Sequence, residues 1–136
     1  QLLYEALTSQ GIQLDRELFV MGNLLPDYLP ELILNPHFTL KCQREIHIFT
    51  EALAGQPVTH GELLPPEYAL RLGILCHYLT DYFTFAHTPE FRLGLKQHGA
   101  YELQLDDYFR AHYTQGESTL DSFTFTNTAS AGDFVK

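Results

Sequence analysis

The sequence has 136 residues, of which 45% are hydrophobic, and its 8 basic and 17 acidic residues give a formal net charge of −9. This size and hydrophobic content are typical of one folded domain and exclude a disordered chain. The acidic balance argues against a protein that binds duplex nucleic acid through Lys and Arg, although bound divalent cations would invert the local field. No apolar run reaches the length of about 18 residues that predicts a transmembrane helix.

The two cysteines, Cys42 and Cys76, are predicted to be free thiols buried in helix faces, because two cysteines do not make a disulfide framework. Free thiols favour a reducing compartment, so the predicted location is the cytoplasm. The N-terminus shows no signal peptide, but a signal removed from it would make the protein secreted. The sequence does not begin with Met, which leaves open whether the native chain extends beyond residues 1–136.

Helical periodicity, interrupted by Gly and Pro, predicts an all-α protein. The predicted helices cover residues 2–9, a segment from Asp15 to Pro26, and residues 40–54, 66–86 and 89–114. Pro26 is expected to end its helix, and residues 28–40 are expected to be irregular. The helix at 66–86 is apolar almost all round, which indicates the central helix of a bundle. We therefore predict a compact single-domain helical bundle over residues 1–136, with a loop-like tail at 115–136.

The segment HYLTDYFTFAHTPEFRLGLKQHGAYE, residues 77–102, carries the chemistry of this chain. His77 and Asp81 are four positions apart, and so are His98 and Glu102. On an α-helix this spacing places both side chains on one face, one turn apart. Imidazole and carboxylate are ligands of zinc and similar divalent metals. Two such pairs predict two helices that direct ligands into one cavity.

A third histidine, His87, lies between the two pairs. It follows Asp81 by six residues, about 240° round an ideal helix, and cannot share that face while it is helical. Pro89 is expected to end the helix before this point, which allows His87 to turn back toward the cavity. The ligands then form two sets, and Asp81 is placed to bridge them. A carboxylate in so apolar a helix is costly unless it is paired or metal-bound, which supports a metal site.

The spacing HxxxDxxxxxHx(n)HxxxE, preceded by the GNLLPD segment 22–27, resembles the zinc-dependent phospholipase C family, which is distantly related to P1/S1-type nucleases. The resemblance covers residues 17–102 and is most specific over 77–102. It implies an all-α fold with zinc ions in a cleft, and it implies these ligands in this chain: Asp27, His37, His77 and Asp81 for one ion, and His87, His98 and Glu102 for a second. Asp27 would also be the catalytic base.

The resemblance further implies a third zinc ion, bridged by Asp81, whose other ligands in the family are an N-terminal residue and an early histidine. No histidine precedes His37 here, so this third site is incomplete or its ligands lie upstream of Gln1. Two to three zinc ions are therefore expected, and manganese or iron would accept the same ligand types. His47 competes with His37 as a ligand. No organic cofactor is predicted.

Aromatic residues flank the ligands: Tyr78, Tyr82, Phe83, Phe85, Phe91 and Tyr101. At helical spacing such residues more often belong to the core than to a substrate site. If they are exposed beside the metals, Phe85 or Tyr82 would be able to pack against a lipid or a choline-like headgroup.

The predicted function is zinc-dependent hydrolysis of a phosphodiester, with a phospholipid as the favoured substrate. One alternative is a nuclease or general phosphoesterase that uses the same metals, which the scarcity of Lys and Arg and the absence of Trp weaken. The other is a metal-stabilised binding domain without turnover, whose ions would have no open coordination position. The oligomeric state is left open.

Overall fold

Five α-helices and one 3₁₀ turn form the regular structure of a computed structural model that describes residues 2–29, 39–91 and 94–113. The helices are α1 (Leu2–Ser9), α2 (Arg16–Tyr28), α3 (Thr39–Ala54), α4 (Pro66–Phe83) and α5 (Leu95–Tyr113), and the 3₁₀ turn is Phe85–His87. Within these ranges β-type pairing is limited to one isolated bridge between Gln13 and Leu63. The predicted all-α class is confirmed.

Local signals in the sequence account for the start of α2 and for the turn after α1. The Asp15 carboxylate accepts a hydrogen bond from the backbone N–H of Leu18 at 3.0 Å, so Asp15 is the N-cap of α2, as predicted. A cap of this kind stabilises a helix by about 1 kcal/mol. Gly11, with φ of 79°, ends the turn after α1, where a left-handed conformation favours glycine.

The expected break at Pro26 is wrong, since α2 continues through Pro26 to Tyr28. Pro26 lies in the last turn, where only two helical residues follow it, so its missing N–H removes little of the helix. Its side chain is fully buried, and this packing offsets the lost hydrogen bond. As a result Asp27 stays on the helix, one turn beyond Asn23 and on the same face.

The last helix also differs from its prediction. It begins at Leu95 rather than near residue 89. The backbone after the 3₁₀ turn forms another turn, in which the N–H of Phe91 donates to the carbonyl of Thr88 at 3.1 Å. Pro89 lies inside this turn and keeps the chain from continuing as a helix.

Helix α4 is central, as predicted, and carries a core cluster on each of two sides. One cluster joins Ala69 and Cys76 to Leu14 and Phe19. The other joins Leu75 and Tyr78 to α3, including Cys42. Both cysteines are buried thiols outside any disulfide, as expected. No helix in the described part of the chain is long and apolar enough to cross a membrane.

Helices α2 and α4 touch backbone to backbone where Gly22 faces Gly73. A Cβ on Gly22 would lie 2.2 Å from the carbonyl oxygen of Leu70, and a Cβ on Gly73 would lie 2.2 Å from that of Phe19. Real Cβ atoms do not approach backbone this closely, so either side chain would push the two helices apart. Glycine is the residue that permits such an approach.

The Gly73→Ala variant should therefore unfold more easily, by about 1–3 kcal/mol, the usual cost of overpacking a core. The matched control is Gly99→Ala in α5, where an added Cβ meets nothing within 4 Å. That variant should gain up to about 1 kcal/mol from better helix propensity. Thermal and urea unfolding of the three proteins measure both effects, and equal stability of Gly73→Ala and the parent would contradict the contact.

Candidate metal centre

The close packing of α2 and α4 brings the C-terminal half of α2 against His77 of α4. The His77 imidazole hydrogen bonds to the backbone of Asn23. One turn later on α2, Asp27 Oδ1 lies 3.6 Å from His77 Nε2. The same ring is therefore held by a backbone group and faces a carboxylate, an arrangement that is usual for a metal-ligating histidine.

Asp81 lies between two imidazoles. Its Oδ2 lies 3.0 Å from Nε2 of His77 on the same helix, and its Oδ1 lies 3.4 Å from Nε2 of His87 in the 3₁₀ turn. The Asp81 side chain is 11% exposed. A buried carboxylate with each oxygen facing a different imidazole is placed to bridge two sites.

The 3₁₀ turn and α5 bring three further donors together. Helix α4 ends at Phe83, and the turn carries His87 back toward α5, as the spacing around Pro89 predicts. Oε1 of Glu102 lies 3.3 Å from Nε2 of His87 and 2.8 Å from Nε2 of His98. Ligand atoms of His87, His98 and Glu102 all lie within 4.8 Å of one another.

These separations can be compared with a tetrahedral zinc site. Two ligands that are each about 2.1 Å from one ion lie about 3.4 Å apart. The pairs His77–Asp27, His87–Asp81 and His87–Glu102 lie at 3.6, 3.4 and 3.3 Å, near that value. The two pairs at helical spacing lie at 3.0 and 2.8 Å, which are hydrogen-bond distances. These five separations therefore lie within about 0.6 Å of the value expected for two ligands of one zinc ion.

The charges of the site raise the pKa of His77. Burial by itself disfavours the imidazolium, but the hydrogen bond and the charge of Asp81, together with the charge of Asp27, outweigh this effect. The proton that they favour would have to leave His77 on metal binding. Burial raises the pKa of the neighbouring Cys76 thiol to about 12, so this cysteine stays protonated and is a poor ligand.

The predicted ligands that the structure describes lie together in this way, while their roles as ligands remain predictions. His37 lies outside the described residues. Its competitor His47 has a 60% exposed side chain and pairs with Glu51 on its own helix at 3.4 Å.

Sequence reasoning missed the residues that position the ligands. Gly22 and Asn23 belong to the GNLLPD segment, yet only Asp27 received a role there. Their functions depend on a contact with α4 that spacing along the chain cannot reveal. Phe91 was also missed as a support: its ring meets the ring of His98 at a centroid distance of 5.7 Å and an angle of 89°.

The family model for zinc dependent phospholipase C matches residues 1–135. The chain belongs to the zinc-dependent phospholipase C family. No curated protein and no solved structure matches it. The predicted resemblance is confirmed over essentially the whole chain, well beyond residues 17–102. A zinc-dependent family and a described group of two histidines and one glutamate support zinc as the metal.

The Asp81→Asn variant should bind zinc at least about tenfold more weakly, because loss of even an outer partner of a metal ligand costs 10–100-fold. The change preserves side-chain volume and removes the charge that faces both His77 and His87. The control is Asp106→Asn, whose exposed carboxylate pairs with Arg110 at 2.7 Å on α5. Competition with a chromogenic chelator measures the affinities. Equal zinc binding by parent and Asp81→Asn would contradict a bridging Asp81.

Removal of zinc should lower the unfolding temperature, and added zinc should restore it. Ligands that bind only the folded state stabilise it by mass action, by about 2.7 kcal/mol at a free concentration one hundred times the dissociation constant. Calorimetry before and after chelation, with zinc, manganese and iron added back separately, also compares the metals. An unfolding temperature that no metal changes would count against a site between these helices.

Proposed function

We propose that this protein is a zinc-dependent hydrolase of phosphodiesters and that phospholipids are its substrates. The family membership supports a phospholipase C-like function. The observation that carries the proposal is Asp81, whose two oxygens each face a different imidazole, at 3.0 Å and 3.4 Å. A protein that only needed to fill its core would not place a carboxylate there, because burial of charge costs several kcal/mol unless it is compensated.

In this proposal Asp27, His37, His77 and Asp81 hold one zinc ion, and His87, His98 and Glu102 hold a second. Bound zinc supplies Lewis acidity that activates water and stabilises negative charge on the phosphoryl oxygens. The residues of the chain then decide where water and substrate react.

Asp27 is the candidate general base. Its side chain is 60% exposed, whereas those of His77 and Asp81 are 9% and 11% exposed. An exposed carboxylate at the edge of the cluster can accept the proton of an attacking water while its neighbours stay shielded. The Asn23 backbone holds the His77 ring, and the same helix, α2, holds Asp27 one turn away, so α2 positions both groups.

The substitution Asp27→Asn should lower kcat on a chromogenic phosphocholine diester by about 10²–10⁴-fold, the usual contribution of a positioned acid or base. Zinc per chain is measured on the same sample, because Asn is a weaker ligand than Asp. A lower rate with unchanged zinc assigns Asp27 as the base, and a parallel loss of zinc assigns it as a ligand. The control Glu51→Gln removes an exposed carboxylate that pairs with His47 and should leave kcat unchanged.

The same assay separates the proposal from its rivals. Zinc-loaded parent protein that cleaves single-stranded nucleic acid in preference to the phosphocholine diester would be a nuclease. Zinc-loaded protein that hydrolyses neither substrate would be a metal-stabilised binding domain, and the proposed activity would be wrong.

A further inference from the structure

Exposed apolar side chains gather at the end of the molecule that carries the metal centre. Along the contact between α2 and α4, Gly22 faces Gly73, and further on Asp27 approaches His77. The two helices therefore run in the same direction, and their C-terminal ends lie at the same end of the fold.

Each of these helix ends exposes large apolar residues beside a candidate ligand. We call Tyr28, Leu29, Phe83 and Phe85 the apolar rim. Their exposed fractions are 73%, 44%, 78% and 51%. Tyr28 and Leu29 directly follow the ligand Asp27. Phe83 and Phe85 lie in the chain between the candidate ligands Asp81 and His87, so the rim borders the metal centre.

One rim residue, Phe85, packs against neighbouring aromatic rings. The ring of Phe85 lies 5.7 Å from that of Phe91 and 6.3 Å from that of Tyr101, measured between centroids. Phe91 in turn contacts the ring of His98. A series of aromatic contacts therefore links Phe85 to the candidate zinc ligand His98. Phe85 itself is exposed on one side of this packed cluster.

Apolar residues grouped on a surface mark a place where something else binds. Anionic membranes attract basic proteins, whereas this chain has a net charge of −9 and none of the four rim residues is basic. A zwitterionic phospholipid surface does not require basic residues and offers an apolar phase into which aromatic side chains partition. It is also the surface from which a phospholipase must take its substrate.

We propose that the apolar rim docks this protein on zwitterionic phospholipid surfaces, with Phe83 inserted below the headgroups, so that the metal centre faces the lipid phosphates. This inference rests on the proposed function, because docking would bring the metal centre to its lipid substrate. Docking itself can be measured without any enzymatic activity. It deepens the assignment by identifying the substrate as lipid in an aggregate rather than lipid dispersed in water.

The binding test uses the absence of tryptophan from the sequence. The Phe83→Trp variant carries a single indole at the rim, and its emission should shift to the blue when vesicles of pure phosphatidylcholine are added. The control is Leu63→Trp: Leu63 is 70% exposed but precedes α4, at the opposite end of a helix about 27 Å long. Its emission should not change. Equal shifts in both variants, or none at Phe83→Trp, overturn the proposal.

The second test compares rates on two forms of one lipid headgroup. Phe83→Ser should reduce hydrolysis of phosphatidylcholine vesicles about tenfold more than hydrolysis of a short-chain phosphatidylcholine below its critical micelle concentration. That factor is the one expected when a phenylalanine side chain is withdrawn from an apolar phase. Leu63→Ser should leave the ratio of the two rates unchanged. A ratio that Phe83→Ser also leaves unchanged would place Phe83 outside any docking surface.

Failure of the two proposals can be told apart. If the parent hydrolyses neither form, the proposed function fails, and vesicle flotation of parent and Phe83→Ser still decides the docking. If the parent hydrolyses the dispersed lipid but does not float with vesicles, the docking fails alone. If light scattering shows a dimer that Phe83→Ser dissociates, and vesicles do not bind, the rim is a contact between two copies and the docking proposal is overturned.

Discussion

The contact between Gly22 and Gly73 is the constraint on which the candidate metal centre depends. Because neither residue has a Cβ, the backbones of α2 and α4 meet directly. This approach brings the backbone of Asn23 to His77 and leaves the Asp27 carboxylate 3.6 Å from the same ring. A side chain at either glycine would move one half of the ligand set away from the other while both helices remained helical.

Asp81 shows how charge and packing combine in this fold. It lies in the central helix α4, close to the buried Tyr78, where an uncompensated carboxylate would be costly. Its compensation comes from His77 on its own helix and from His87 beyond the helix end. The end of α4 at Phe83 thus allows His87 to face Asp81, since a longer helix would carry His87 to another face. The same short break exposes Phe83 and Phe85 beside the ligands.

Much of the architecture was predictable from local sequence. The Asp15 cap, the turn at Gly11, the central position of α4 and the pairs at helical spacing all follow from interactions between residues close in the chain. Pro26 was misjudged because its effect depends on where the helix ends and on how fully the ring is buried. Local propensity favoured a break, and tertiary packing prevailed over it.

The sequence by itself determined the all-α class and the family, and it placed the candidate ligands, histidine and carboxylate, in pairs at four-residue intervals. These properties are encoded in residue identity and in helix periodicity, which need no knowledge of distant contacts. Only the tertiary structure decided that Asn23 holds His77 and that Phe83 is exposed while Tyr78 is buried. Each of these facts depends on how two helices approach each other, and that approach is set by side-chain volume at positions far apart in the chain, Gly22 and Gly73 above all.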